Sequence, residues 1–475
     1  MARLPCPRPR LFALASLLPL FLSCSALDEE CVRDGHAGYE ARASFDARAR
    51  VRRVDCGFHS GVQDVVALPD GSAWLRRTQY RNLEDDAFYL PPDKFLTHVG
   101  AGGELRLDLQ VPDFIQHITA HPSGELTVLG WEKQSRETQQ QFVRLAADGS
   151  QLASLVFTND THPEERLNYD YYPDGRLERV EEPRDGRYLN ILAAAAHGED
   201  VYVLAAWDGL RLLRLDSRLN VVWSHAVSAT VALRDFDAAQ LRDVGVPLTG
   251  WFLSVDEEGA VSVVQPFLEF QRRAYVEALG RTVEGPGGRS MLVSRFDANG
   301  ARRSARTVPV PWQVDEVVGL AVRGGVYAVG GRVNTVVARE GKPTESDLYF
   351  ASGRWDRPAD ELVQRAFSLD RDDVPGAFIP CGQGRFCFAG HTGYDDLPGR
   401  MDTNGQGFVL ALNAQGEPRD ELRLQGERDT EVLRAAEGPG GSVVFAFITN
   451  QSADIDRVGN KFKNNETWVG VFGGP

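Results

Sequence analysis

The side chains best equipped for chemistry fall in the irregular stretches of this sequence. Tyr169, Tyr171 and Tyr172 crowd into "LNYDYYPDG", just ahead of a Pro-Asp-Gly turn, and His162 stands shortly before them. Tyr-rich loops make good contact surfaces, because large amphipathic rings lose little entropy on binding. The same rings can equally pack their own insert onto the body of the protein. A second group, "HTGYDDLPG", brings His391 together with Asp395 and Asp396. Carboxylates also gather at Glu84, Asp85 and Asp86, at Glu181 and Glu182, at Asp372 and Asp373, and at Asp454 and Asp456. If such groups converge they coordinate Ca²⁺, which takes roughly six to eight oxygens, or act as an acid/base pair in glycan cleavage. Solvated charge is the plainer alternative, and Asp395 and Asp396 can also cap their own turn. No EF-type D-x-D-x-D-G loop occurs, so no cofactor is assigned and Ca²⁺ is the single candidate.

Histidines are few. His117 and His121 would share one face of a strand, but Pro122 makes His121 a turn residue. The sequence has no G-x-S-x-G elbow, no H-E-x-x-H, no P-loop and no G-x-G-x-x-G between a strand and a helix. No catalytic residue is named.

The elements that must position these loops repeat along the chain. A short apolar run, a turn with Gly and a second apolar run appear as "VVALPDGSAWLRR", "ITAHPSGELTVLGW", "FLSVDEEGAVSVVQP" and "VGLAVRGGVYAVGG". After a variable loop, two more runs follow around another turn, as in "QFVRLAADGSQLASLVF" and "MLVSRFDANGARRSARTV". The first runs start near residues 65, 118, 191, 252, 317, 377 and 432. A period of roughly 53 to 73 residues points to a propeller or solenoid. Runs this short, rich in Val, Phe, Leu and Trp and bounded by turns, are strands. The first two runs of each unit are nearly continuously apolar, as in strands covered on both faces. The fourth alternates, as in "ELRLDLQV", which suits a half-exposed outer edge. The expected fold is all-β, a seven-bladed β-propeller of four-stranded antiparallel blades.

The last unit lacks a fourth strand. It ends in "TWVGVFGGP", and the chain supplies nothing after it. The N-terminal stretch "YEARASFDARARVRR", residues 39–53, can fill that place, with Tyr39, Ala41, Ala43 and Phe45 on one face. Pairing it outside Trp468 to Phe472 closes the ring and removes an exposed edge.

One unit, "FAGHTGYDDLPGRMDTNGQGFVLALNAQGE" at residues 388–417, resembles the SBBP-type β-propeller repeat of bacterial extracellular proteins. The shared features are a Gly-aromatic turn, a Leu-Pro-Gly loop and an apolar strand ending in a small residue and Gly. "SRFDANG" and "VRLAADG" echo the end of that motif. The resemblance implies a propeller at an envelope or secreted location, and no catalytic residues.

Antiparallel order puts the first-to-second and third-to-fourth turns on one face. The second-to-third loops and the links between blades lie on the other. Tight turns such as Pro69-Asp70-Gly71 fall on the former. The insertions 78–94, 158–190, 228–250, 267–290, 333–347, 391–406 and 450–465 fall on the latter. Insertions gathered on one face of a repeat protein mark a binding side. The segment around Tyr169 is expected to form a small hairpin, and 267–285 a short helix.

The N-terminus and the cysteines address the chain. Arg3, Arg8 and Arg10 precede "LFALASLLPLFLSC", an apolar run too short to span a bilayer and laid out like a secretory signal. "LFLSC" resembles a bacterial lipobox, which implies diacylation of Cys24, and Ser25 after it implies outer-membrane sorting. Ordinary cleavage after Ala26 is the alternative, leaving a periplasmic or secreted soluble protein. The chain then divides into a signal peptide at 1–23, a tether at 24–38 and one propeller at 39–475. Cys31, Cys56, Cys381 and Cys387 remain as an even set in an oxidising compartment. Cys381 and Cys387 flank "GQGRF" in a hairpin and lie within disulfide range, with a metal site as the rival. Cys31 and Cys56 pair by elimination.

A formal net charge of −15 excludes a nucleic-acid footprint, which needs a basic face. The expectation is a lipid-anchored envelope propeller that binds a protein or glycan through its loop-rich face without catalysis. The alternatives are a structural member of an envelope complex, or an envelope enzyme working at the channel mouth. Such an enzyme would be a glycan lyase or hydrolase, or a quinone-type dehydrogenase.

Overall fold

The computed structural model describes residues 44–473 with gaps. The segments left out within that span are 46–47, 56–57, 81–92, 112–114, 133–139, 158–168, 172–176, 180–189, 207–209, 228–250, 269–273, 277–280, 284–288, 311–313, 335–345, 359–360, 371, 383, 394–404, 427–429 and 456–460. The strands form seven blades, each of four antiparallel strands in simple up-and-down order. A single pairing of Phe58 with Asn464 links blade 1 to blade 7.

Ring closure is visible in the innermost strands. These are Phe58–Ala67, His117–Ala120, Asn190–His197, Phe252–Val255, Val314–Arg323, Val374–Pro380 and Thr430–Glu437. Each touches the first strand of the blade before it and of the blade after it, and the seventh touches the first.

Seven buried apolar clusters fill the seven junctions between consecutive blades. Side chains of a strand alternate between faces, so one strand feeds two junctions. Tyr327 and Val329 of blade 5 face blade 4, while Ala328 between them faces blade 6. Phe386 and Phe388 of blade 6 turn toward blade 5, while Cys387 and Ala389 turn toward blade 7. This is why the inner strands read as unbroken apolar runs. The close approach of blades 5 and 6 needs glycine: a Cβ on Gly319 would lie 2.2 Å from the Phe378 carbonyl oxygen.

The tight turns have a shared local cause. Asp216, Asp256, Asp297 and Asn413 each open a turn, and each side-chain oxygen accepts the backbone N–H groups two and four residues on. Short Asx side chains stabilise turns in this way.

The N-terminal segment closes blade 7. Ala49–Asp55 pairs antiparallel with Lys461–Phe472, aligning Ala49 with Phe472 and Arg53 with Trp468. Its place differs in detail from the expected 39–53. Residues 39–43 lie outside the described residues, and Ser44–Phe45 pairs instead with the outer strand of blade 6, Pro418–Gln425. Arg48 makes the step between the two blades. It donates to Asp420 Oδ1 at 2.7 Å and to the Glu421 carbonyl at 2.5 Å, and its guanidinium lies 5.5 Å from the Phe472 ring centre. The apolar face of the closing strand is Ala49 and Val51, against the junction of blades 6 and 7.

Cys381 and Cys387 form a disulfide with a Cα separation of 5.8 Å, buried at the same junction. The register sets Cys387 opposite Ile379, so the bond runs diagonally across the turn and not between facing residues. Cys24, Cys31 and Cys56 lie outside the described residues. Among the described residues of 267–285 the expected helix is replaced by strands. Val261–Leu268 continues as a strand, and Ala274–Val276 pairs with Arg281–Val283 in a hairpin. Val276, Thr282 and Val283 are β-branched, which suits a strand better than a helix.

Candidate functional site

The strand order fixes a two-sided molecule. On one side, first strands turn into second strands within a few residues, as at 198–199 and 324–325. On the other side lie the long second-to-third connections and the blade-to-blade links, and both extra hairpins belong to them. Tyr169–Tyr171 pairs with Leu177–Arg179, so the expected hairpin around the Pro-Asp-Gly turn is present. Tyr172, His162, Asp395 and Asp396 lie outside the described residues. His391 sits near the loop-side end of Arg385–Thr392 in blade 6, opposite Val374 and Gly407.

Beside His391, Asp372 and Asp373 form a knot where blade 5 hands over to blade 6. Asp373 is fully buried. Its carboxylate accepts the Thr392 hydroxyl and the Leu369 N–H, the latter at 2.6 Å, while its own N–H donates to the Ser346 carbonyl at 2.8 Å. Asp372, in the left-handed region at φ 53°, accepts the Ser346 hydroxyl at 2.6 Å. Burial pushes the Asp373 carboxyl up to about 6, against the pull of its hydrogen bonds and with the nearby Asp347 charge adding to the rise. These two carboxylates tie blades together.

At the ring axis, a belt of polar side chains runs from blade 6 through blades 7, 1 and 2 to blade 3. Arg434, exposed on the first strand of blade 7, donates Nε to the Gln63 carbonyl at 2.9 Å and Nη1 to the Leu433 carbonyl at 2.6 Å. The same Nη1 reaches the Gly376 carbonyl in blade 6 at 3.5 Å. Arg76 donates Nη1 to Gln63 Oε1 at 2.9 Å and to the Ile115 carbonyl at 2.7 Å. Asp64 accepts the Ile118 N–H at 3.3 Å and lies 4.0 Å from His117 Nδ1. His117 Nε2 meets the Ile191 carbonyl at 3.1 Å in blade 3. Burial holds the His117 imidazole below its ordinary value; Asp64 pulls upward and the charges of Arg76 and Arg434 push further down. The ring is therefore neutral at pH 7. His121, a turn residue as Pro122 implied, is committed elsewhere: Nε2 meets Thr127 Oγ1 at 2.8 Å and Nδ1 the Gly198 carbonyl at 3.2 Å.

The tight-turn end of the axis carries a second ionic contact. Arg323, last in the first strand of blade 5, pairs with Glu437, last in the first strand of blade 7, and reaches Glu257 of blade 4 at 3.5 Å. Burial raises the Glu437 carboxyl above its ordinary value, opposed by Arg323. Among the described residues, no three His, Cys, Asp or Glu side chains group as metal ligands do.

The sequence reading named His391, Asp372, Asp373 and, within the belt, His117, but missed the other belt residues. Gln63, Asp64, Arg76 and Arg434 lie in "SGVQDVVAL", "WLRRTQ" and "VLRAAEG", which look like ordinary strands. A charged residue inside a strand otherwise covered on both faces was the available signal.

No protein-family model matches the chain, and no curated protein matches it. Similar solved structures include the WD40 domain of Neurospora crassa Pan2, at 10% identity over 90% of this chain and 97% of that one, with a TM-score of 0.43. YCF48 bound to D1 peptide is 9% identical over 91% and 98%, with a TM-score of 0.40. The K499G mutant of NanB sialidase from Streptococcus pneumoniae is 8% identical over 88% and 68%, with a TM-score of 0.36.

Proposed function

We propose that this chain is a non-catalytic binding module of the bacterial cell envelope that offers its loop-rich face to a protein or glycan. One observation carries the reading: the long connections all leave the ring on one side, where two of them add hairpins, while the other side is closed by tight turns. A scaffold that keeps one face minimal and elaborates the other has placed its variable surface where a partner docks. Contact residues on this reading are Tyr169, Tyr171, Tyr172, His162, His391, Asp395 and Asp396. The buried Cys381–Cys387 bond favours an oxidising compartment. The lipobox-like "LFLSC" extends the proposal to a diacyl anchor on Cys24 in the outer membrane, and the SBBP-like unit agrees with an exported repeat protein.

The test replaces residues 158–189 with a short Gly-Ser linker and measures capture of envelope proteins and glycans by the purified chain. Loss of a partner bound by the parent supports the reading; an unchanged set of partners refutes it. Mass spectrometry of the mature N-terminus decides the anchor: a diacylated Cys24 supports it, and an unmodified chain starting after Ala26 rejects it. No cofactor belongs to this reading, and Ca²⁺ held by the loop carboxylates would show as a higher Tm on adding Ca²⁺.

An envelope enzyme working at the axis is the second reading, favoured by Asp64 and His117 lying 4.0 Å apart. Against it, both side chains are engaged with strand backbone, which suits blade alignment better than proton transfer.

A further inference from the structure

We propose that Arg76 and Arg434 form a seat for a small oxyanion at the ring axis, beside Gln63. The two guanidiniums come from different blades and converge on one residue: Arg76 on the Gln63 side-chain oxygen and Arg434 on its backbone oxygen, each at 2.9 Å. Gln63 and Arg434 are both exposed, so the point of convergence is open to solvent.

Charge at this point is unbalanced. A guanidinium stays protonated in proteins, so two positive charges meet here. Asp64 is the carboxylate that acts on Arg76, and it also serves the Ile118 N–H. His117 is neutral for the reasons given above. The remaining like-charge repulsion is felt at Arg76, whose guanidinium is held below its ordinary value first by burial and then by the charge of Arg434. An anion between the two would relieve that repulsion.

Donors remain to hold it. Arg434 Nη2 and Arg76 Nη2 have no acceptor among the described residues. Planar guanidinium edges match carboxylate, sulfate and phosphate oxygens and bind them through charge-assisted hydrogen bonds. In a chain of net charge −15, a local excess of positive charge also marks where an anion is drawn against the overall field. The shared chemistry is an oxyanion, either free or as a carboxylate carried by a larger molecule.

Isothermal titration of the full chain with sulfate, and separately with acetate, at constant ionic strength tests this. Saturable binding of either at millimolar concentration is expected, and the tighter arm tells a tetrahedral anion from a carboxylate. Arg434→Gln should weaken that binding at least tenfold, whereas Arg50→Gln, at an exposed position on the closing strand, should leave it unchanged. Because Arg434 also bridges blades, Gln63→Glu serves as a second variant. Its carboxylate would occupy the seat from within, abolishing anion binding while the fold persists by circular dichroism. No saturable binding in either arm, or binding unchanged in Arg434→Gln or in Gln63→Glu, overturns the proposal.

Discussion

Asp373 shows how a single side chain can set a pH response in this ring. Its folded carboxyl titrates at about 6 because burial disfavours the charge, while an unfolded aspartate titrates near 4. Between those values the unfolded chain has released a proton that the folded chain keeps, so stability falls as pH rises. The contribution is fully present below about 4 and is lost above about 6, a difference of about 1–3 kcal/mol. Asp373→Asn removes the titration; its amide can accept from the Leu369 N–H and donate to Thr392 Oγ1. Urea unfolding at pH 4.5 and pH 7 should show the parent's loss of stability shrink by about that amount in the variant. An unshrunk loss would assign the slope to other groups. That Asp373 lay beside a blade link was legible from its place between two strand runs; that it is dehydrated was not, because burial depends on Ser346 and Thr392 from other strands.

At the scale of strands, packing distance decides what a substitution does. Gly319→Ala puts a methyl 2.2 Å from the backbone oxygen of Phe378, closer than any real contact, so blade 5 must move off blade 6. Overpacking of this kind costs about 1–3 kcal/mol, and the urea midpoint should drop accordingly, whereas Gly198→Ala meets no neighbour within 4 Å and tests only its left-handed backbone. In blade 7, Trp468 is buried, stacks 6.0 Å from Phe447 and donates Nε1 to Thr449 Oγ1 at 3.2 Å. Trp468→Ala should cost about 3–5 kcal/mol, read from the same unfolding curves. Strand identity came from apolar runs and turn residues, which act locally. The hairpin at 274–283 was misread as a helix because apolar spacing in a short insert fits both periods.

For the whole molecule, the closing strand is the decisive part. A chain beginning at Phe58 keeps the strands of blades 1 to 6 but leaves Lys461–Phe472 with one side unpaired. An exposed edge of this length invites pairing with other chains. Size-exclusion chromatography should show that chain as aggregated or broadened, with a lower unfolding temperature. Adding a peptide spanning residues 44–55 should restore a monomer, and failure of both effects would deny the strand its closing role.

The number of blades, their strand order and the sidedness of the loops could be read from the sequence, because each follows from short-range patterns: alternation, turn chemistry and repeat length. The N-terminal strand that completes the last blade was likewise legible from that regular count. The lumen belt was decided only in three dimensions. Gln63, Arg76, His117 and Arg434 are ordinary members of separate strands, hundreds of residues apart at the extremes. They meet because a closed ring brings the first blade against the last, and electrostatics acts through that distance in space and not along the chain.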